Sequence, residues 1–150
     1  MEEKGRVQLV THQLSWKIHF KSEPAVVYDF LVVPEKRKRY WAESAEEADG
    51  VIHYVFLNGI EDHGRILEKI PTQFFRVEYF GMDVSFDLQA CDGGGCDMNM
   101  TCNNVDDDDR YELNAGWVSW LMAMKAAVDF GVDLRNHDTD RTWFNGFADN

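Results

Sequence analysis

The stretch FFRVEYFGMDVSFDLQACDGGGCDMNMTCN, residues 74–103, alternates apolar and polar side chains with a period of two. The apolar members of its three runs are Phe75, Val77 and Tyr79, then Val84, Phe86, Leu88 and Ala90, then Cys96, Met98, Met100 and Cys102. This pattern is typical of antiparallel strands that bury one face and expose the other. Residues 116–135 follow as one predicted helix, with Asn114 as its N-cap. A curved sheet that closes on a helix often encloses a cavity, so the stretch predicts a fold with an internal cavity that can hold a ligand.

The turns of this stretch set the pairing of its strands. We expect a two-residue turn at positions 81–82, because a glycine suits the first central position of such a turn. This turn pairs Val77 with Phe86 and keeps both side chains on the buried face.

The register of the last hairpin separates two cysteines. Alternation places Ala90 inward and opposite Cys96, and therefore turns Cys91 outward. A disulfide between Cys91 and Cys96 is disfavoured, and the spacing of the three cysteines matches no familiar zinc pattern. The acidic run 106–109 lacks the glycine and distal glutamate of a calcium loop. We expect free thiols, no metal site and no cofactor.

The chain before this stretch adds one strand and two short helices. Residues 7–21 predict the first strand. A helix capped by Ser22 and running to Leu31 follows. Pro34 ends this region and opens a second, basic helix to Trp41. The order predicts an α+β fold, in which a curved antiparallel sheet of about six strands wraps around a long C-terminal helix.

The hairpin between residues 51 and 70 has an ambiguous facing. We expect its Asn-Gly pair to form a two-residue turn, which pairs Tyr54 with His63. One register then sends His53 and Glu68 toward the concave face, and the other sends Tyr54 there. A bulge would switch between them. Each register places ionisable groups inside, so we expect an interior that is partly polar or wet at one end.

Composition excludes several classes of partner. The 150 residues suit one domain with a sizeable core. The formal net charge of -12 argues against nucleic acids and anionic membrane surfaces, because both require clustered cations.

The sequence also shows no targeting signal. The first residues, MEEKGR, do not resemble a signal peptide. The apolar segment 117–132 is interrupted by Lys125 and Asp129 and is too short to span a bilayer. An odd number of cysteines without a secretion signal indicates free thiols. We expect a cytoplasmic protein that does not insert into membranes.

Three stretches occur in an order that resembles a known family. They are PAVVYDFL at 24–31 with Pro34 and Trp41 after it, GRILEKIP at 64–71 before an aromatic strand, and Gly-Trp at 116–117 opening the last helix. Together they resemble the helix-grip fold of the START-like (SRPBCC) superfamily. Within it, the chain is similar to proteins related to the C-terminal domain of the heat-shock protein 90 ATPase activator.

The resemblance implies a single START-like domain over residues 1–150, with an irregular tail at 136–150. It also implies a cavity between the sheet and the long helix, which in relatives holds lipids, hormones, polyketides or other apolar molecules. Some relatives are cyclases, dehydratases or hydrolases. We expect the chain to differ from the eukaryotic activator in having no additional N-terminal chaperone-binding domain, and this expectation disfavours a chaperone partner.

The candidate cavity residues combine inward-facing strand positions with one face of the last helix. They are Trp41, His53, Tyr54, Phe56, Glu68, Phe75, Val77, Tyr79, Phe86, Met98, Met100, Trp117, Trp120, Leu121 and Met124. Core packing alone explains most apolar members, although methionines adapt well to irregular ligands. An inward Glu68 would be the best acid/base candidate, because burial raises the pKa of a carboxyl group.

Three functions follow from this reading. The first is non-catalytic binding of a small, largely apolar molecule. The second is an enzyme of the cyclase or dehydratase kind that uses a cavity histidine or glutamate. The third is a co-chaperone-like interaction module, which an exposed apolar patch would favour.

The tail carries three aromatic residues, Trp143, Phe144 and Phe147. Such side chains rarely remain free in water. We expect an ordered tail that packs across the sheet, across the cavity mouth or against a second copy in a homodimer.

Overall fold

The computed structural model describes residues 11–150, so positions 7–10 of the predicted first strand lie outside the described residues. Seven strands and three α-helices follow one another along the chain. They are β1 Thr11–Phe20, α1 Pro24–Val32, α2 Pro34–Arg37, β2 Ser44–Ala48, β3 Val51–Val55, β4 Glu61–Ile70, β5 Phe74–Tyr79, β6 Met82–Ala90, β7 Cys96–Asp106 and α3 Arg110–Phe130.

The strands form one antiparallel sheet in the order β1-β7-β6-β5-β4-β3-β2. Helix α3 lies across its concave face and buries Trp117, Leu121, Met124 and Val128 there. This is the helix-grip fold, which confirms the predicted class. The sheet has one strand more than expected. Strand β2 has the sequence SAEEA, which lacks the branched and aromatic residues that mark strands.

Alternation along residues 74–103 predicts the buried face correctly, but the predicted pairing of β5 with β6 is wrong by two residues. Val77 pairs with Val84 rather than with Phe86. The turn consists of Phe80 and Gly81, both with positive φ (49° and 77°), a geometry that matches the twist of the strands. A shift of two residues leaves every side chain on its predicted face.

The last hairpin has the predicted register. Ala90 lies opposite Cys96. Cys96 and Cys102 are buried, Cys91 is partly exposed, and all three are free thiols.

The middle hairpin differs from both predicted registers. Tyr54 pairs with Asp62 instead of His63. The loop has three residues, 57–59, and is closed by Phe56 N donating to Ile60 O at 2.9 Å. The extra loop residue slips one strand against the other, so the inward positions of β3 meet the opposite set on β4.

Because of this slip, the middle hairpin directs few ionisable side chains toward the core. Ile52, Tyr54 and Gly64 are buried. A bulge between Ile66 and Glu68 interrupts the pairing of β4 with β5, and Glu68 is exposed. Among residues 12–150, the polar or charged residues that are buried as a whole are Arg37 and Thr142, and the Asp129 side chain is also fully buried. The expected partly polar interior is therefore limited to a few positions.

Several helix boundaries differ from the prediction. The N-cap of α1 is Glu23, because the Ser22 hydroxyl instead donates to Asp129 at 3.0 Å. Helix α2 ends at Arg37, short of Trp41. Helix α3 begins at Arg110, six residues before the predicted start, and ends before Gly131, whose φ of 65° is the left-handed conformation that terminates helices.

Within the described part of the chain, no helix combines the length and apolar character needed to cross a membrane.

Candidate functional site

A cavity of about 540 Å³ opens at one end of the interface between the sheet and α3. Its walls come from the segment after α2, the β3–β4 and β5–β6 turns, the N-terminal half of α3 and the C-terminal tail. Most of the lining is aromatic or aliphatic, and includes Tyr40, Trp41, Phe56, Ile60, Tyr79, Phe80, Met82, Leu113, Trp117, Trp120, Met122, Ala123, Leu134, Trp143 and Phe144.

An aromatic cluster lies at the inner end of this cavity, and we define it as Trp41, Tyr54, Tyr79, Trp117 and Trp120. Four of its members line the cavity, and Tyr54 packs beneath them against Trp41 and Tyr79. The ring of Trp41 lies 5.0 Å from that of Trp120 and 5.2 Å from that of Tyr54, between centroids. Trp117 and Trp120 are 5.2 Å apart, because residues three apart share a helix face. The Trp41–Trp120 and Trp117–Trp120 pairs are edge to face, a geometry that adds to the hydrophobic stabilisation of a cluster.

Polar atoms of the aromatic cluster are buried without hydrogen-bond partners. The Tyr54 hydroxyl and the Trp120 indole N–H have none among the described residues. The Trp41 and Trp117 indoles also lack a well-formed hydrogen bond. Burial raises the pKa of Tyr79, and the nearby Trp41 indole opposes that rise. Each unsatisfied buried donor costs about 1–3 kcal/mol, so a ligand that accepts hydrogen bonds would be favoured here.

The structure divides the candidate cavity residues into three groups. Trp41, Phe56, Tyr79, Trp117 and Trp120 line the cavity. A second group lies in the packed core without lining it: Tyr54, Phe75, Val77, Phe86, Met98, Met100, Leu121 and Met124.

The third group, His53 and Glu68, points away from the cavity. His53 stacks on His63 with ring centroids 4.3 Å apart and lies 2.5 Å from a Glu61 oxygen. The one-residue slip of the middle hairpin and the β4 bulge account for these positions.

Sequence reasoning missed the apolar rim, which we define as Ile60, Phe80, Met122, Leu134 and Phe144. All five line the cavity mouth, yet Phe80, Met122 and Phe144 are 44%, 52% and 66% exposed. Phe80 stands in a turn with positive φ, where a large apolar residue is uncommon. The available sequence signal was a large aromatic residue directly before the turn glycine Gly81, where small or polar residues are usual.

A network of charged groups, the C-terminal clamp, holds the segment after α3 against the segment after α2. It consists of Glu43, Asp133, Arg135 and His137. Arg135 donates to the carbonyl of Ala42 at 2.9 Å. His137 lies 2.7 Å from a Glu43 oxygen and 2.8 Å from an Asp133 oxygen. Burial disfavours the charge on Asp133, but hydrogen bonds from Arg135 and His137 outweigh it and lower its pKa to about 2.

The tail lies along the cavity mouth, at one of the positions expected for its aromatic residues. Trp143 Nε1 donates to Glu112 Oε2 at 3.1 Å, and Ser119 Oγ donates to Ala148 O at 2.6 Å. These bonds attach the tail to α3, so Trp143 and Phe144 narrow the entrance.

Apart from the hydroxyls of Tyr40 and Tyr79, the ionisable side chains of the described cavity lining are three carboxylates and one guanidinium. Glu43, Glu112, Arg135 and Asp149 are the charged residues among its described lining. The first three are held in the contacts given above. The described lining contains neither histidine, cysteine nor lysine. The arrangement can therefore hold an apolar molecule and present few groups suited to proton transfer or nucleophilic attack.

No family model and no curated protein matches this chain. The chain is, however, similar to solved protein structures. A protein from Staphylococcus saprophyticus has a TM-score of 0.72 at 21% identity, over 83% of this chain and 96% of that one. The Aha1 dimer from Colwellia psychrerythraea gives 0.71 at 20% identity, over 80% and 98%. An AHSA1-like protein from Aeromonas hydrophila gives 0.68 at 15% identity, over 78% and 92%.

These likenesses concern the fold. They confirm the predicted fold, which this chain shares with the Aha1 and AHSA1-like structures.

Proposed function

We propose that this protein binds a small, largely apolar molecule in the cavity between the sheet, α3 and the tail, without chemical conversion. The observation that carries the proposal is an open cavity of about 540 Å³ with the aromatic cluster at its inner end. Ligand sites are usually concave, about 300–1,000 Å³ in volume, and lined by apolar and aromatic side chains with few polar groups.

The ligand that fits best carries a hydrogen-bond acceptor, such as a carbonyl or ether oxygen. The supporting observation is that the Trp120 indole is unsatisfied and can only donate a hydrogen bond. An acceptor within reach of Trp120 would recover part of the cost of burying that donor.

Acid/base catalysis is the weaker alternative. It requires a titratable group within hydrogen-bond reach of a bound substrate. His53 and Glu68, the residues expected to serve, lie on the outer surface.

A direct test is native mass spectrometry of the protein purified from its own host. We expect a mass above that of the chain, which organic extraction removes. Ala123→Phe would fill the cavity, and Ala115→Phe places the same ring on an exposed position of the same helix. The first variant should carry less ligand, and the second should carry as much as the unaltered protein.

Equal ligand content in the two variants would place the bound molecule elsewhere. A chain that carries nothing, and whose tryptophan fluorescence is unchanged by a panel of apolar carbonyl compounds, would overturn the proposal.

A second candidate function is self-association through the apolar rim. Five apolar residues meet at one mouth, and large exposed apolar patches often mark interfaces. The Colwellia psychrerythraea neighbour is described as a dimer. Sedimentation velocity should show a concentration-dependent dimer that Phe144→Ser weakens. Tyr111→Ser, a change at a residue that is 78% exposed but lies outside the cavity lining, should have no effect.

We also propose that the protein works in the cytoplasm. Its three cysteines are free thiols, as expected in a reducing compartment.

A further inference from the structure

A second cluster of chemically active side chains lies on the outer face of the sheet, outside the cavity lining. His19 is near the end of β1 and Asp97 near the start of β7, and the two are direct partners in the β1–β7 register. Cys91 follows β6. The tight turn after it brings Cys91 beside them, with Cys91 N donating to Gly95 O at 3.1 Å.

The three side chains present one nitrogen, one sulfur and one oxygen to a common point. His19 Nδ1 lies 2.8 Å from Asp97 Oδ1 and 3.8 Å from Cys91 Sγ. All three ligand atoms lie within 4.8 Å of one another. A tetrahedral ion with bonds of about 2.0–2.3 Å holds its ligands about 3.3–3.8 Å apart. The His19 nitrogen and the Asp97 oxygen would therefore need to move only slightly apart for an ion to bind between the three side chains.

The backbone fixes this geometry. Gly95 has a φ of 89°, and a Cβ there would lie 2.5 Å from Phe20 O and 3.1 Å from His19 Cε1. Only glycine allows the turn to lie this close to the imidazole. The turn is also tied to the start of α1, because Gly95 N donates to Glu23 Oε2 at 2.9 Å. The ligands are thus held by three strands and an anchored turn.

We propose that His19, Cys91 and Asp97 bind a divalent transition-metal ion of borderline softness, with Zn²⁺ as the best match. Zinc accepts imidazole, thiolate and carboxylate together, whereas Mg²⁺ and Ca²⁺ prefer oxygen ligands alone. On binding, the thiol proton leaves to solvent and the sulfur coordinates as thiolate. Three protein ligands leave a fourth position for water.

This site could not be predicted from the sequence, because its three candidate ligands come from separate parts of the chain. We expected no metal site because we considered only a site made of the three cysteines. The structure does place Cys96 and Cys102 on the opposite, buried face of the sheet, away from Cys91. The partners of Cys91 come instead from two other strands. Within residues 12–150 this is the one group of three such ligands that meets in this way.

The test is zinc titration of the full chain after removal of metal by a chelator, followed by calorimetry and native mass spectrometry. We expect one zinc ion per chain. Cys91→Ser, His19→Gln and Asp97→Asn should each weaken binding by at least about tenfold, since even indirect support of a ligand is worth that much. Asp87→Asn, an exposed acid on β6, should leave binding unchanged.

Two further measurements separate this site from other zinc-binding groups. His137→Gln removes the imidazole of the C-terminal clamp and should leave zinc binding intact. Cobalt(II) in place of zinc should give a thiolate-to-metal absorption band that Cys91→Ser abolishes and Cys102→Ala retains. Circular dichroism checks that each variant is folded. Absence of zinc binding in the unaltered chain, or equal binding by folded Cys91→Ser, would overturn the proposal.

Discussion

Arg37 shows how a single buried charge can organise one end of the fold. Its side chain is fully buried, and its guanidinium donates to Leu31 O at 3.1 Å and to Ala45 O at 2.7 Å. These carbonyls belong to α1 and β2, so one side chain ties the first helix to the edge strand. A planar fork with several donors suits this task, and a lysine ammonium does not.

We therefore expect Arg37→Lys to lower the free energy of unfolding by about 2–3 kcal/mol, because a charged hydrogen bond is lost and a carbonyl is left unsatisfied. Urea denaturation measures the change. Arg39→Lys alters an exposed residue of the same segment and should change stability by less than about 0.5 kcal/mol. Similar losses in both variants would show that the buried bonds of Arg37 contribute little.

Gly64 decides how closely strand β4 approaches strand β5. A Cβ at this position would lie 1.9 Å from the Glu78 carbonyl oxygen and 3.3 Å from the Tyr54 ring. The glycine thus permits both the strand contact and the placement of Tyr54 beneath the cavity. No side chain fits without moving backbone, which a packed sheet resists.

Gly64→Ala should destabilise the protein by about 2–4 kcal/mol. Gly93→Ala is the matched control, because a Cβ there meets nothing within 4 Å. That variant should be as stable as the unaltered chain or slightly more stable. Thermal unfolding of the pair provides the comparison, and an undisturbed Gly64→Ala protein would contradict the close approach of the two strands.

The C-terminal clamp gives the attachment of the tail a pH dependence. Hydrogen bonding to Asp133 raises the pKa of His137 above its usual 6.5, burial opposes this, and Glu43 adds to the rise. Arg135 also faces the imidazole and opposes its charge. Because the folded pKa is the higher one, the stabilisation is complete below about pH 6.5 and disappears as pH rises through the folded value.

Stability should accordingly fall as pH rises above about 6.5, and His137→Gln should remove that part of the fall. The pKa of Asp133, about 2, keeps its carboxylate charged throughout this window. His63→Gln, which removes an exposed imidazole elsewhere, serves as the control. Melting temperatures over this range provide the measurement, and identical pH profiles for His137→Gln and the unaltered protein would count against the clamp.

The elements also show what sequence can predict. Strict alternation over residues 74–103 identifies the buried face, because a two-residue error in register preserves facing. It cannot identify the turn, since Phe80 adopts a positive φ that its side chain disfavours. The prediction for the middle hairpin is wrong for a different reason. One extra loop residue moves His53 to the outside, and no local pattern reveals that choice.

The candidate site depends on contacts between segments that are far apart in the sequence. The tryptophans of α3 were predictable cavity residues from their spacing. The mouth was not, because it requires the tail to lie beside the turn at Phe80 and the segment after α2. The same reason hid the juxtaposition of His19 with Cys91.

The C-terminal tail has two effects: it narrows the cavity mouth, and it adds to the free energy of unfolding. Trp143 is half-buried and bonded to Glu112. A chain ending at Arg141 loses that bond and the apolar contact around it. We expect its free energy of unfolding to fall by about 2 kcal/mol. The same truncation should speed the association of an apolar fluorescent probe such as anilinonaphthalene sulfonate, because the entrance widens.

Urea denaturation and stopped-flow fluorescence measure the two effects separately. Phe147→Ser is the control, since Phe147 lies outside the cavity lining and the change leaves the bonds of Trp143 and Ala148 in place. Lower stability with unchanged probe entry would assign the tail a purely structural role. Faster entry with unchanged stability would make it a loosely held cover. The contacts of Trp143 serve both purposes at once, so the truncated chain should show both changes together.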